Sequence, residues 1–267
     1  MTETPWQGEG VTRIELDAGW TITGHLNGGY LTAVCADVAC RSLDGKPPLT
    51  ISTHYLHPVS GDGPADVDVE VVREGRLSTA RVTLSRDGLV LVDALVTAGT
   101  PRSSGAAHER AVAPELPAYA DCVDSSAAGP VAGMQLLHTL ELRTDPRTAA
   151  AVMGGEPLDE LVTQAWCGYR DGRPVDQLLV SAAWDVLPPT LWAGHIWGGT
   201  PTVSSQVLLF PGAVVGPLVL EARCETLRDG VVDETARAWD SSGRLVATAR
   251  QTALFIAPRE PGDRPRT

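Results

Sequence analysis

The sequence predicts an α+β chain made of two similar tandem units, each an antiparallel sheet wrapped around one long helix. Three observations lead there. The first is internal repetition. Thr50-Ile-Ser-Thr-His-Tyr-Leu-His-Pro58 is echoed by Thr202-Val-Ser-Ser-Gln-Val-Leu-Leu-Phe-Pro211, and Val72-Arg-Glu-Gly75 with Thr79-Ala-Arg81 by Leu227-Arg-Asp-Gly230 with Thr235-Ala-Arg237. The same register lays Ala36-Asp37-Val38 over Trp184-Asp185-Val186. The second is one strongly apolar helical segment in each half, which has to be buried because it is apolar nearly all round. The third is a series of β-rich runs after each helix, separated by Gly-containing turns. A repeated period of this kind marks repeated structural units.

In the first unit, Gly24-His-Leu-Asn-Gly-Gly29 opens a helix predicted from Tyr30 to about Leu43. Strands are predicted at about 48–58, 65–74, 76–86 and 88–98. They are joined through Ser60-Gly-Asp-Gly63, Glu74-Gly75 and Asp87-Gly88, and an Asp-Gly between two β-rich runs is a strong hairpin signal. Residues 101–131, rich in Pro, Ser, Ala and Gly, read as a linker between units 1–100 and 132–267. The second unit offers a strand at about 134–143, on which Met134, Leu136, Leu140 and Leu142 alternate with polar residues. A short helix near Thr148–Met153 and a strand at about 161–169 come next. Asp171-Gly-Arg-Pro174 is then expected to start a helix through Leu187, with proline in its first turn and Pro188-Pro189 ending it. Strands at about 201–210, 216–227, 230–240 and 244–256 complete the copy, with a short disordered tail after them.

The chain has 267 residues, 43% of them hydrophobic, enough for two domains with real cores. Its net charge of −12 and its single lysine, Lys46, argue against a nucleic-acid partner, whose phosphates need clustered cations. No apolar run reaches the roughly 18 residues of a membrane helix. Cys35, Cys40, Cys122, Cys167 and Cys224 are odd in number, form no C-x-x-C, and mostly sit in apolar segments. With no secretory leader in Met1-Thr-Glu-Thr-Pro-Trp-Gln, a cytoplasmic protein with reduced thiols is expected.

Three polar residues of the second unit stand out. Asp185 lies in the apolar segment Leu178–Leu187, where a carboxylate is costly to bury unless it is paired or used. Thr202 begins a strand, placed by simple alternation on one face with Ser204 and Gln206. Gln251 shares a strand face with Ala247, Ala249 and Ala253, small residues that leave room beside it. A buried acid, a hydroxyl and an amide can thus converge. The first unit carries Asp37, Thr50 and Val96 at the aligned positions, so only the second keeps all three polar groups.

A sheet curled around a buried helix, repeated in tandem, is the double hotdog arrangement, and the chain resembles the acyl-CoA thioesterase II group of tandem hotdog thioesterases and its actinobacterial relatives. The resemblance spans about Gly24 to Phe255 and is densest in Gly168-Tyr-Arg-Asp-Gly-Arg-Pro-Val, Trp184-Asp-Val-Leu-Pro-Pro and Asp240-Ser-Ser-Gly-Arg-Leu-Val-Ala-Thr-Ala-Arg-Gln251. It implies direct hydrolysis of an acyl thioester, most plausibly acyl-CoA, with no metal or redox cofactor. Asp185 would be the base, and Thr202 and Gln251 would hold the water. Backbone N–H groups at a helix start would stabilise the oxyanion, with Asn27-Gly28-Gly29 one candidate. The chain departs from the family pattern at Ser204 and at Phe210-Pro-Gly212, which bears on the acyl or CoA channel.

Two other readings fit the same frame. A hydratase or dehydratase would use His57, whose His57-Pro-Val-Ser-Gly61 resembles the start of a dehydratase motif, although Pro64 comes two residues early. A non-catalytic binding protein would hold acyl-CoA without releasing CoA. His54 and His57 are read as pointing to opposite faces of one strand, and so not as a metal pair. His138 is read as a core histidine, and Trp184, Trp192 and Trp197 as packing near the second helix end. The chain has no G-x-S-x-G, phosphate-loop or H-E-x-x-H motif. Exposed sheet edges predict a homo-oligomer.

Overall fold

The computed structural model describes residues 11–61, 63–102, 108–127 and 133–258. The first ten residues, parts of the linker and the tail after 258 lie outside the described residues. The first half runs β1 (Thr12–Leu16), a small ribbon of β2 (Thr21–Ile22) and β3 (His25–Leu26), α1 (Gly28–Ser42), β4 (Pro48–Tyr55), β5 (Gly63–Arg73), β6 (Leu77–Arg86) and β7 (Leu89–Gly99). The second comprises β8 (Val123–Asp124), α2 (Leu136–Thr139), β9 (Leu140–Thr144), α3 (Pro146–Val152), β10 (Val162–Tyr169), α4 (Gln177–Ala182), α5 (Thr190–Ala193), β11 (Thr202–Leu209), β12 (Leu218–Arg228), β13 (Val231–Trp239) and β14 (Leu245–Leu254).

Twelve strands form one antiparallel sheet in the order β1-β5-β6-β7-β4-β11-β14-β13-β12-β10-β9-β8. The halves meet where β4 pairs with β11, so the two copies of the repeated segment lie side by side with Ser205 opposite Thr53. The inner face is apolar by strict alternation: Val67 and Val69, Ala80, Val82 and Leu84, and Val92, Ala94 and Val96 are all buried. Asp87-Gly88 and Asp229-Gly230 both take positive φ at each residue (52° and 79°; 52° and 78°), the type I′ geometry that matches strand twist.

α1 begins at Asn27, whose side chain accepts from the Tyr30 amide, and buries almost its whole circumference against β4 to β7 and α4. Close contact of α1 with α4 requires glycine at 29, since a Cβ there would strike the Ala182 carbonyl oxygen. With the helices inside the curl of each half-sheet, the architecture is the double hotdog.

The chain departs from expectation in three places. Its helix is short: Pro174 lies outside it, Asp176 caps it by accepting from the Leu179 amide, and after Ala182 it tightens into a 3-10 turn, Ala183–Asp185. Asp171 instead accepts from the Arg173 amide in a turn, and the Arg173 guanidinium stacks over Tyr169. The segment predicted as a strand from 134 starts with α2. Neighbouring Leu136 and Leu137 are both buried, which strand alternation does not allow, and Arg170 binds the Leu137 carbonyl. His138 is therefore exposed on α2 and is not a core residue. His57 lies beyond the end of β4, so it does not share a strand with His54, and both are exposed. No described helix is long and apolar enough to cross a membrane.

Candidate active site

The 3-10 turn that ends the short helix carries Asp185 to the seam between the halves. Its Oδ2 accepts from Asn27 Nδ2 at 3.0 Å and from the Gly29 amide at 2.9 Å, while Asn27 Nδ2 also donates to the Asp185 carbonyl at 2.7 Å. The start of α1 thus holds an acid belonging to the other half. A Cβ at Gly28 would crowd Asp185 Oδ2 at 3.0 Å and the Tyr55 ring at 3.3 Å. The Asn27-Gly28-Gly29 turn is accordingly engaged with Asp185, and its Gly29 N–H is not free for an oxyanion. Among the described residues Oδ1 accepts no hydrogen bond.

Tyr55 closes the seam from β4. Its hydroxyl donates to the Gly28 carbonyl at 2.9 Å and lies 2.6 Å from Thr32 Oγ1 and 3.3 Å from Ser205 Oγ. Burial, and then the negative Asp185 nearby, raise the Tyr55 pKa above the usual tyrosine range, so it stays protonated. Asp185 is partly buried, and its pKa is pushed up to about 7, first by desolvation. The Gly29 and Asn27 hydrogen bonds and the nearby Gly28 amide oppose that rise, and the charge of Glu234 adds to it.

Thr202 and Gln251 do come together. Thr202 Oγ1 donates to Gln251 Oε1 at 2.6 Å. The face expected for Thr202 needs correction. A β-bulge makes Val203 an extra residue, so Thr202 pairs with Ala253 and Ser205 with Gln251, both inward, while Ser204 and Gln206 point out. Gln251 Nε2 donates to Glu234 Oε1 at 2.6 Å, and Thr190 Oγ1 donates to Glu234 Oε2 at 2.5 Å. Glu234 is 9% exposed, and its pKa is raised, chiefly by burial. Sequence reasoning missed it, although Val232, Glu234, Ala236 and Ala238 place it in an inward register that is otherwise apolar.

Asp185, Gln251 and Glu234 line one polar cavity of about 40 Å³ with Trp184, Leu187, Pro189, Thr200 and Ala222. That is room for a water or a very few. The aligned residues of the first unit form no such site. Asp37 is half-exposed and paired with Arg41 at 3.0 Å, Thr50 lies opposite Leu208 on β11, and Val96 is buried. His57 makes no hydrogen bond to Asp185, and among the described residues no cluster of His, Cys, Asp and Glu could hold a metal. Trp184 packs beside Asp185, whereas the rings of Trp192 on α5 and the exposed Trp197 after it have centroids 6.0 Å apart.

The architecture is thus a double hotdog with an acid held at the seam and a small polar cavity beside it. Residues 16–99 match the model of the acyl-CoA thioesterase N-terminal domain and residues 119–255 that of the C-terminal domain, so the chain belongs to the acyl-CoA thioesterase family. An uncharacterized Mycobacterium tuberculosis protein is 27% identical over 91% of this chain and 90% of its own length. Among solved structures, a Thermobifida fusca protein described as a thioesterase II superposes with a TM-score of 0.83 at 28% identity, covering 93% of each chain. A conserved hot dog fold protein from Alicyclobacillus acidocaldarius superposes with a TM-score of 0.82 at 22% identity, covering 96% of each, and shares the fold.

Proposed function

We propose that this protein hydrolyses acyl thioesters, with acyl-CoA as the substrate class, and that Asp185 is the general base of the reaction. The observation that supports this best is the Asp185 carboxyl itself. One oxygen is tied to Asn27 and Gly29, the other accepts no hydrogen bond from the described residues, and a cavity of water size lies alongside. A water there gives its proton to Asp185 as its oxygen attacks the thioester carbon. The tetrahedral intermediate then collapses, the C–S bond breaks, and the thiolate leaves with the proton to give free acid and thiol. General-base help of this kind contributes ~10²–10⁴-fold. A pKa of about 7 suits the task, since about half of the group is ionised at neutral pH and the carboxylate is more basic than an ordinary one. Gln251, hydrogen-bonded to Thr202, orients the water.

The experiment is thiol release from a panel of acyl-CoAs, short to long, branched and aromatic, by wild type, Asp185→Asn, Gln251→Ala and Asp37→Asn. Collapse with the first two variants and retention with the third is expected, as Asp37 is a surface ion-pair residue. Folded protein that releases no thiol from any of them would overturn hydrolysis of acyl-CoA. Binding without release would then identify a non-catalytic acyl-CoA carrier.

A further inference from the structure

We propose that Glu234 is a positioning residue of the reaction centre, fixing which way the Gln251 carboxamide faces and sharing with Asp185 the negative charge of the cavity. This rests on the hydrolytic reading above.

The orientation argument is one of donors and acceptors. A carboxamide has a donor end and an acceptor end, and something must decide between its two flips. Thr202 cannot, because a hydroxyl both donates and accepts and would satisfy either end. An ionised Glu234 can, since a carboxylate only accepts. Its Oε1 takes the Gln251 N–H at 2.6 Å, and this turns Oε1 of Gln251 to Thr202. The other Glu234 oxygen is occupied by Thr190 Oγ1 at the start of α5, so the carboxylate cannot rotate away. One Gln251 N–H and one lone pair remain for the cavity, in fixed places. The flipped amide would set its oxygen against the Glu234 carboxylate, an unfavourable contact inside a buried network.

The charge argument follows from the shared cavity. Asp185 is faced by Asn27 and the Gly28 and Gly29 amides from α1, by Tyr55 from β4 and by Glu234 from β13. Of these only Glu234 can add negative charge in the neutral range, because Tyr55 stays protonated. Like charges disfavour joint ionisation, so Glu234 makes Asp185 more basic. Facing Glu234 itself are Thr190, Gln251 and, on β12, Cys224, whose thiol is raised to about 11 and is neutral.

A purely structural Glu234 would only anchor α5 through Thr190, and the test separates the two roles. With the full chain, kcat and KM for thiol release are measured for wild type, Glu234→Leu, the isosteric Glu234→Gln, Gln251→Ala and the Glu234→Leu/Gln251→Ala double variant. Glu234→Leu is expected to lower kcat ~10–100-fold through misplacement of Gln251. KM should stay within about threefold. Glu234→Gln should give a kcat between those of wild type and Glu234→Leu, because its amide still binds Gln251 but no longer selects one flip, and should move the acid limb of the pH profile down by ~0.5–1. The double variant should be no worse than Gln251→Ala. Losses that multiply, or a kcat unaffected by Glu234→Leu, would overturn the proposal. If wild type releases no thiol, hydrolysis fails on its own, and the decision passes to an infrared titration of the Asp185 carboxyl, assigned by its loss in Asp185→Asn. A lower midpoint in Glu234→Gln supports the shared charge, and an unmoved midpoint overturns it.

Discussion

Replacing Asp185 with asparagine should stabilise the protein more at pH 8 than at pH 5, while abolishing most of its catalysis. The carboxyl has a pKa of about 7 in the folded chain against an ordinary value of 3.8. A raised pKa means that the folded state binds the proton more tightly. The resulting stabilisation is complete below the unfolded pKa and is lost as pH rises through 7. The whole shift sets a ceiling of ~4 kcal/mol, more than half of which falls between pH 5 and pH 8. Because Asp185 is partly exposed, solvent screening reduces this to an expected change of roughly 1–2 kcal/mol. Asparagine keeps an oxygen for Asn27 and Gly29 but does not titrate, so the difference between the two proteins isolates the carboxyl. Urea unfolding of both at pH 5 and pH 8 measures it. A stability difference equal at the two pH values, or one that favours wild type at pH 8, would refute the account of Asp185 as a strained, functional acid.

Three further predictions use other parts of the frame. Gly29→Ala should cost about 1–3 kcal/mol in urea unfolding and lower kcat, because its Cβ would meet the Ala182 carbonyl and lie 3.0 Å from Asp185 Cβ; an unchanged midpoint would contradict the close helix contact. Thr202→Val removes the hydroxyl that binds Gln251 and should cost about 1–3 kcal/mol of transition-state stabilisation, read as a fall in kcat. Cys35 and Cys167, buried with pKa values pushed up to about 12, should resist a thiol reagent until global unfolding, so their labelling rate should follow the unfolding equilibrium.

Much of the architecture can be read from the sequence because its causes are local. The β-rich runs from Pro48 to Gly99 and from Thr202 to Leu254 fall close to their predicted bounds, since alternation and Asp-Gly turns act within a few residues. The buried helix after Asn27 is legible for the same reason, as its cap and its apolar circumference are both contiguous. An acid embedded in Leu178–Leu187 announces itself as anomalous without any knowledge of its neighbours. Other features depend on partners far along the chain. Asp185 is held by Asn27 and Gly29, more than 150 residues earlier, through a contact that exists only once β4 and β11 pair and bring the helices together. Thr202 faces Gln251 because a bulge at Val203 reverses simple alternation, and the strand itself gives no sign of that bulge. Glu234 joins the site because three strands and the start of α5 converge on it. The sequence by itself determined the two runs of long strands, the first buried helix and the acid that does not belong in an apolar segment. Only the tertiary structure decided which groups surround that acid, because strand register and helix contact set those neighbours, and both are settled by the packing of the two halves together.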